Sequence, residues 1–448
     1  FECPQHNFEE MYYYRWWSIR KHIKETPVGY GMTEFLVQRS YSDKYNLIAC
    51  AIGHHIYESR WLRDPKYLDQ IIHTWYRGND GGPMKKMDKF SSWNADAVLA
   101  RYMVDGDKDY LLDMKKDLET EYQRWERTNR LKNGLYWQGD VQDGMEESIS
   151  GGRRKKYARP TINSYMYGNA KALSCIGILS GDEGMAMKYG MRADTLKNLV
   201  ENELWNTRHQ FFETMRTDSS ANVREAIGYI PWYFNLPDTT QKYEIAWKEI
   251  MDEKGFSAPY GLTTAERRHP EFRTRGVGKC EWDGAIWPFA SAQTLTAMAN
   301  FMNNYPQTVL SDSVYFRQME LYVESQYHRG RPYIGEYLDE VTGYWLKGDQ
   351  ERSRYYNHST FNDLIITGLI GLRPRLDNTI EVNPLIPADK WDWFCLDNVL
   401  YHGHNLTILW DKNGDRYHCG KGLRIFVDGK EVGQANTLTK IVCENALK

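Results

Sequence analysis

Apolar residues recur at helical spacing along most of the chain, from its first residues to about residue 371. Turn-forming residues, chiefly Gly, Pro and Asn, separate one helical stretch from the next. The pattern predicts helices over residues 8–24, 43–62, 65–78, 92–104, 107–129, 162–180, 182–202, 224–235, 239–254, 282–303, 310–328 and 357–371. Twelve helices joined by loops of uneven length indicate six helical hairpins that close into a ring.

An α-solenoid is the alternative fold, because it also stacks pairs of helices. Solenoids repeat a unit of constant length, and the sequence contains no such repeat. The loops at 133–161, 205–223, 255–281 and 329–356 are also longer than solenoid turns, and loops of this length are often functional. We therefore predict an all-α (α/α)6 toroid barrel over residues 1–371.

Beyond residue 371 the pattern changes to an alternation of apolar and polar residues, which is typical of strands. The alternating segments are 379–382, 405–410 and 423–427. Residues 411–415 and 428–430 carry Asn-Gly and Asp-Gly, which are strong hairpin-turn signals. We predict a small C-terminal antiparallel β module over residues 372–448 that packs on the barrel.

The composition is unusually aromatic. Aromatic residues make up 14% of the chain, with 16 Trp and 32 Tyr. Such side chains combine an apolar face with a polar group, so they suit a cleft that stacks flat ligands such as sugar rings. An aromatic-rich core is the alternative. The net charge of −3 argues against a nucleic-acid partner.

The seven cysteines are scattered, without metal-ligand spacing, and their odd number argues against a complete disulfide framework. No apolar stretch is long enough to span a membrane. Because the chain begins with Phe1 rather than Met, we expect a processed or truncated N-terminus, which leaves open a periplasmic or secreted location after removal of a signal peptide. We expect no cofactor. We also expect no metal, since His54 and His55 are neighbours whose side chains would point to different faces of a helix.

Hydrolysis of a glycosidic bond needs an acid that protonates the leaving oxygen and a second carboxylate. Residues 136–148 hold four carboxylates within eight positions, next to Trp137, which could stack on a sugar. Crowded carboxylates raise one another's pKa, as a general acid near neutral pH requires. Glu146 or Asp143 is the candidate acid, and a solvated acidic loop is the alternative.

A second acidic segment, residues 335–345, precedes the last predicted helix. Glu336 lies there in a turn rich in Gly and Tyr, and it is the candidate for the second carboxylate. Glu340 competes with it, and Tyr337 is a candidate sugar-binding residue. A simple hairpin with polar acids is the alternative.

A third segment, residues 280–288, ends at Pro288, which fits the first turn of a helix. Trp282 and Trp287 would stand near the barrel mouth and stack on sugar rings, while Asp283 would bind a hydroxyl. A helix start with two packed indoles is the alternative.

The N-terminal half adds further candidates for the far side of the pocket. These are Arg15-Trp16-Trp17, Thr33-Glu34-Phe35, Gly53-His54-His55 and Arg60-Trp61. Of these, His54 and Arg60 are the candidates for binding hydroxyl groups.

Taken in order, the three segments resemble the (α/α)6-barrel glycosidases grouped around trehalase, processing α-glucosidase and mannosylglycerate hydrolase. Their acid loop, Glu-Ser-Gly-Met/Trp-Asp-Asn/Phe-Ser, is similar to residues 142–148, and their Trp-x-Gly-x-x-Trp-Pro segment is similar to residues 282–288. Their base loop, Glu-x-Tyr/Phe-x-Pro-x-Thr-Gly, ends like Thr342-Gly343, which places Glu336 at the base.

The resemblance implies an inverting, exo-acting glycoside hydrolase. Glu146, or else Asp143, would protonate the leaving oxygen, and Glu336 would activate a water molecule, with the two carboxyls about 6.5–9.5 Å apart. Three positions depart from the family. Glu146 replaces an Asp, and Leu338 and Glu340 stand where the family has an aromatic residue and a Pro. The identity of the sugar stays open, and a furanoside is one of the possibilities.

Two other functions are consistent with these residues. A polysaccharide lyase can also use a helical barrel, and it would release an unsaturated, ultraviolet-absorbing sugar. A non-catalytic carbohydrate-binding protein would bind sugars without turnover, since a fold does not determine a function.

Overall fold

The computed structural model describes residues 1–239 and 242–447, and it is rich in helices up to residue 369. The α-helices are α1 (His6–His22), α2 (Ile52–Ser59), α3 (Lys66–Arg77), α4 (Asn94–Asp105), α5 (Lys108–Asn129), α6 (Pro160–Ser180), α7 (Glu183–Leu199), α8 (Ile230–Tyr233), α9 (Pro288–Asn304), α10 (Asp312–Ser325) and α11 (Asn362–Leu364). Short 3-10 helices cover Lys44–Asn46, Ala49–Ala51, Ala226–Tyr229, Glu244–Ile250 and Glu351–Ser353, and π-helical turns cover Val200–Leu204 and Ile365–Leu369.

Each predicted helix overlaps helical residues, but several begin late. The helix predicted over 282–303 starts at Pro288, because proline suits only the first turn and the residues before it form a loop. The helix predicted over 43–62 is broken near Tyr45, whose φ of 61° is left-handed. The last predicted helix begins only at Asn362. Within 239–254, positions 240 and 241 lie outside the described residues.

Helices that alternate along the chain contact one another in sequence. Helix α2 contacts α4, α4 contacts α6, α6 contacts α8, α8 contacts α9, α9 contacts α11, and α11 contacts α2 again. The intervening helices pack against this set: α3 on α2, α5 on α4 and α6, α7 on α6, α10 on α9, and α1 on α10 and α11. The α2–α11 contact therefore joins the two ends of this alternating set, and α1 adds contacts to α10 and α11.

Buried charged groups make the α2–α11 contact. The Glu58 carboxylate accepts hydrogen bonds of 2.8–3.1 Å from the backbone N–H groups of residues 361–363, at the start of α11. These groups have no partner within their own helix and carry partial positive charge, so a carboxylate stabilises them. Asp363 in turn accepts hydrogen bonds from Arg60 at 2.9 Å and from the indole of Trp61 at 2.7 Å.

Sixteen strands lie within the described residues, and ten of them pair as short hairpins in the loops. The strands before residue 372 are β1 (Ile23–Thr26), β2 (Gly29–Met32), β3 (Trp137–Gln138), β4 (Tyr157–Ala158), β5 (Trp205–Asn206), β6 (Phe211–Phe212), β7 (Ser257–Ala258), β8 (Gly261–Leu262), β9 (Tyr327–His328) and β10 (Arg331–Pro332). The later strands are β11 (Ile380–Val382), β12 (Trp393–Tyr401), β13 (His404–Asp411), β14 (Gly422–Val427), β15 (Lys430–Ala435) and β16 (Ile441–Cys443).

The C-terminal strands form an antiparallel meander in the order β12-β13-β14-β15, while β11 pairs with β16. Asp428 and Gly429 both have positive φ in the β14–β15 turn, as an Asp-Gly hairpin requires. The alternating segments are thus confirmed as strands, but β12 was not predicted, because a register shift after Leu396 breaks its alternation. The module contacts α4, where the His402 N–H donates to the Val104 carbonyl at 2.7 Å. The domain limit at 371/372 stays a prediction.

None of the helices in the described ranges combines the length and the apolar character that a membrane crossing requires. All seven cysteines are free thiols in the structure.

Replacing Glu58 by Ala should destabilise the protein strongly. The change leaves the buried N–H groups at the start of α11 without an acceptor, and we expect a loss of at least about 3 kcal/mol in the free energy of unfolding, measured by urea denaturation. Glu183 is the matched control, since it lies in the first turn of α7 but is exposed. Glu183→Ala should cost less than about 1 kcal/mol. Equal losses would show that Glu58 does not anchor α11.

Candidate active site

The candidate site is built from loops that come directly before the helices of the inner set. Residues 140–148 precede α6, residues 280–287 precede α9, and residues 333–361 precede α11. Contacts between these loops bring them together. The Trp282 indole donates to Glu146, and Ile286 and Leu338 exchange two backbone hydrogen bonds of 3.0 Å. Loops far apart in the sequence therefore meet in one place.

Glu146 is half-buried in the first of these loops. Its Oε2 accepts a hydrogen bond of 3.3 Å from the indole N–H of Trp282. Burial raises the pKa of the Glu146 carboxyl, and the negative charge of Glu336 raises it further. The Trp282 bond acts in the opposite direction, because it stabilises the ionised form. Glu146 is thus biased towards the protonated state in which a carboxyl can donate a proton.

Glu336 is buried, with 6% of its surface exposed. Its Oε2 lies 3.2 Å from Arg352 Nη2 and 3.8 Å from Lys347 Nζ. Both cations come from the same long loop, which folds back on the carboxylate. Positive charge on two sides suits a group that works in its ionised form.

Four aromatic side chains connect the surroundings of the two carboxyls, and we call them the aromatic wall: Trp282, Trp287, Phe289 and Tyr337. The Trp282 ring stacks on Trp287 at 4.3 Å, and Trp287 stacks on Phe289 at 4.4 Å. The edge of Tyr337 meets Trp282 at 5.1 Å. Trp282 donates to Glu146, and Lys347 Nζ lies both 4.9 Å from the Tyr337 ring and 3.8 Å from Glu336. The wall therefore reaches from Glu146 to the cation beside Glu336.

Asp143, the other candidate acid, has a different environment. Its side chain is fully covered and forms an ion pair of 2.8 Å with Arg159. It also accepts hydrogen bonds from Ser91, at 2.7 Å, and from Thr161. Both of its oxygens are occupied, so Asp143 holds the acidic loop in place and the geometry favours Glu146 as the acid.

Two predicted sugar-binding residues are not joined to the carboxyl pair. Asp283 is fully buried and accepts hydrogen bonds from the backbone of Arg275 at 2.6 Å and Gly276 at 3.0 Å, so it shapes its own loop. Arg60 caps the carboxyl end of α2 and lies about 9 Å further along the helix axis than His54. There it pairs with Asp363 and lines a separate cavity of about 320 Å³.

Of the other two predicted sugar-binding residues, His54 contacts the aromatic wall and Trp137 has no described contact with it. Trp137 is half-buried and packs under the Lys156 ammonium, which lies 4.3 Å from its ring, and no described contact joins it to the carboxyl pair. His54 lies 4.4 Å from Phe289 and so extends the aromatic wall. Burial lowers the pKa of His54 well below its ordinary value, which leaves its imidazole neutral. His55 points elsewhere, because its Nε2 bonds the Asn357 carbonyl at 2.8 Å.

Glu340, the competitor of Glu336, belongs to another cluster. Its Oε2 lies 3.6 Å from Arg273, which also pairs with Glu281 at 2.6 Å and Asp339 at 3.5 Å. These contacts tie the hairpin of residues 337–345 to the loop before α9.

The structure adds Glu34, Tyr356 and His358 to the neighbourhood, together with the cations Lys347 and Arg352. Glu34 is 5% exposed and accepts a hydrogen bond from the Tyr356 hydroxyl. Burial raises the pKa of Glu34 to about 8, and the charges of Glu336 and Glu146 add to this effect. The sequence pointed to Glu34 only as part of the Thr33–Phe35 segment. Tyr356 and His358 could have been noticed as polar aromatic residues just before the last inner helix.

A carboxyl biased towards protonation, a second carboxylate beside cations and a wall of indoles at helix amino termini together define a glycoside hydrolase. Residues 44–359 match the family model of the mannosylglycerate hydrolase MGH1-like glycoside hydrolase domain. The chain belongs to this family. Residues 372–433 also match the C-terminal domain of glycosyl hydrolase family 65. The family resemblance seen in the sequence is thereby confirmed.

Solved structures give the same picture of the fold. A chain named sialidase is 95% identical, with a TM-score of 0.99 over 100% of this chain, although it is much longer: this chain spans 41% of its length. A GH63 mannosylglycerate hydrolase from Thermus thermophilus is 13% identical, with a TM-score of 0.58 over 80% of this chain and 99% of its own. A GH78 rhamnosidase from a Bacillus species is 12% identical, with a TM-score of 0.60 over 95% of this chain and 41% of its own.

Replacing Trp282 by Phe should move the alkaline limb of the pH profile of kcat/KM to higher pH. The indole N–H stabilises ionised Glu146, so its removal raises the pKa of Glu146 and keeps the acid protonated at higher pH. Trp287→Phe is the control, because it removes an indole N–H from the same stack that has no bonding partner among the described residues. A limb that stays in place, or that moves equally in both variants, would contradict this role of Trp282.

Proposed function

We propose that the chain is an inverting, exo-acting glycosidase in which Glu146 is the general acid and Glu336 the general base. One observation carries the proposal. Carboxyls from two distant loops share one aromatic wall, and burial, together with the charge of Glu336, raises the pKa of Glu146. Such a pair supplies a carboxyl that can hold a proton for the leaving group and a second one, beside Arg352 and Lys347, placed to act as the base.

In the proposed reaction Glu146 acts as the acid and Glu336 as the base. Glu146 gives its proton to the glycosidic oxygen, so the leaving group departs as a neutral alcohol. Glu336 takes a proton from a water molecule, whose oxygen bonds the anomeric carbon on the opposite face as the glycosidic bond breaks. The released sugar has the inverted configuration. Solvent then reprotonates Glu146 and removes the proton from Glu336.

Burial supports an exo mode of action. Glu336 is 6% exposed and Glu34 is 5% exposed, which suits a site that takes the end of a carbohydrate chain better than an open groove along which an extended chain would lie. We propose that the successive helix contacts from α2 to α11 close an (α/α)6 barrel, and that residues 1–371 form its catalytic domain with residues 372–448 packed beside it. The closed barrel would make the site a pocket that is open at one end only.

We propose that the substrate is a carbohydrate. The relatives do not identify which sugar it contains. The name sialidase belongs to a chain of which this one covers 41%, and the mannosylglycerate hydrolase and rhamnosidase are too distant to show more than the fold. A screen of nitrophenyl glycosides and plant oligosaccharides is the direct way to identify the sugar.

Glu146→Gln and Glu336→Gln should each lower kcat/KM by at least about a hundredfold on the glycoside that the screen identifies. The roles can be separated by the leaving group. A dinitrophenyl glycoside needs little protonation, so it should restore much of the activity of Glu146→Gln and none of that of Glu336→Gln. Glu340→Gln, a carboxyl of the neighbouring Arg273 cluster, is the control and should keep most of the activity. Binding without turnover on any glycoside would instead support a carbohydrate-binding protein.

The first sugar released should have the anomeric configuration opposite to that of the substrate. Inverting enzymes hold the two carboxyls far enough apart for a water molecule, so the attack occurs once and on one face. Proton NMR within the first minutes of the reaction, before mutarotation, distinguishes the anomers. A first product with the configuration of the substrate would refute inversion and make Glu336 a nucleophile.

A further inference from the structure

Several buried polar atoms beside the two carboxyls lack hydrogen-bond partners. Among the described residues, no partner is found for Glu34 Oε2 or for either ring nitrogen of His54 and His358. All three side chains are at least nine-tenths buried. A buried polar group without a partner destabilises the folded protein, so its presence needs an explanation. Three together, next to a catalytic pair, call for a common explanation.

Contacts join these three side chains into one surface that continues the aromatic wall. The Tyr356 hydroxyl donates to Glu34 Oε1, which leaves Oε2 free. The Tyr356 ring meets His358 at 3.7 Å, and His358 lies 6.2 Å from Phe289. Phe289 also contacts His54 at 4.4 Å. The unsatisfied atoms are therefore neighbours of one another and of the wall that carries Glu146.

We propose that Glu34, His54 and His358 bind the hydroxyl groups of the sugar that enters between the two catalytic carboxyls, and that Glu34 does so as a hydrogen-bond donor. The inference rests on the proposed function and extends it to the substrate. A sugar ring offers several hydroxyls that both donate and accept, which matches a protonated carboxyl beside neutral imidazoles. Glu34 would then be a specificity-determining residue and not a third catalytic acid.

The protonation of these groups agrees with that role. Burial raises the pKa of Glu34 to about 8, so the carboxyl keeps its proton at neutral pH and can donate it to a hydrogen bond. Burial lowers the pKa values of His54 and His358 well below the ordinary value, and both imidazoles stay uncharged. The hydroxyl-binding surface is thus neutral when the enzyme works.

The charges around the site further indicate an uncharged sugar. A carboxylate on the sugar would meet Glu146 and Glu336, and the nearby cations Lys347 and Arg352 already lie against Glu336. The buried Arg159 is likewise paired with Asp143. A uronate or a sialate would therefore find no free cation among Lys347, Arg352 and Arg159. Arg39 and Lys89 form no ion pair among the described residues, but they are held on the rings of Phe35 and Tyr41 and on the Tyr41 carbonyl.

Monosaccharide binding tests the inference without any need for turnover. Isothermal titration should use uncharged sugars, such as L-rhamnose, D-mannose, D-galactose and L-arabinose, and two charged ones, D-galacturonate and N-acetylneuraminate. We expect an uncharged sugar to bind wild-type protein at least about tenfold more tightly than either acid. Tighter binding of an acid, or no binding of any sugar, would overturn the proposal, whereas hydrolysis alone decides the proposed function.

Substitutions at Glu34 test the donor. Glu34→Leu should weaken binding of the preferred sugar, or raise KM, at least about thirtyfold, because a buried hydroxyl loses its partner. Glu34→Gln keeps a neutral donor of the same length and should lose less than about tenfold. A monodeoxy sugar that lacks the bonded hydroxyl should bind wild type and Glu34→Leu alike. If Glu34→Gln lost as much sugar affinity as Glu34→Leu, the donor role would be contradicted. If Glu34→Leu lost the same affinity for every deoxy sugar, the role of Glu34 would be merely structural.

Glu121→Leu is the matched control. Glu121 is a half-buried residue to whose carboxyl a tyrosine, Tyr76, donates, and burial of that carboxyl raises its pKa to about 7, but it lies on α5 outside the aromatic wall. Its loss should lower the melting temperature as Glu34→Leu does, while sugar affinity in the folded protein is retained. Equal losses of affinity in both variants would assign the effect of Glu34→Leu to stability.

Discussion

The hydrogen bonds from the start of α11 to Glu58 are the constraint on which the site depends. They join a helix near the beginning of the chain to one more than three hundred positions later. The same junction brings Glu34 and His54, which lie before and within α2, next to Glu336, Tyr356 and His358, which precede α11. A carboxylate at a helix amino terminus is stable even when buried, because the free N–H groups satisfy it. The Glu58 contact and the proposed site therefore involve the same two helices, α2 and α11.

Buried acids serve two purposes in this protein, and their partners separate the two. Asp143, Asp283 and Asp363 have a cation or several N–H groups beside them, and they hold loops and helices in place. Glu34 and Glu146 have no cation paired with them, so burial raises their pKa values. An acid whose oxygens are all occupied cannot bind a substrate, whereas an acid with a free oxygen can donate a proton or bind a hydroxyl. Glu336 combines the two situations, because Lys347 and Arg352 lie beside it but no hydrogen bond to its Oε2 is found among the described residues.

This distinction also explains what could be predicted from the sequence. Periodicity located the helices and three C-terminal strands, and the order of motifs pointed to the family and to the loops that hold Glu146 and Glu336. It did not separate Glu146 from Asp143, since Arg159 lies beyond the motif and only the fold brings it to Asp143. Arg60 and Asp283 were chosen as hydroxyl binders for their residue type and loop position, and only their partners show that they hold the fold together.

The replacement of the family's Asp by Glu146 is consistent with the rest of the site. The extra methylene extends the carboxyl by about 1.5 Å, so the same position over the sugar requires the loop backbone to lie further back. The Asp143–Arg159 ion pair holds that loop against the start of α6, and the Trp282 indole supports the longer side chain at its far end. Tyr356 links Glu34, which precedes α2, to His358, which precedes α11. In the proposed site the sugar would therefore be bounded jointly by the longer acid and by side chains from the two helices that Glu58 joins.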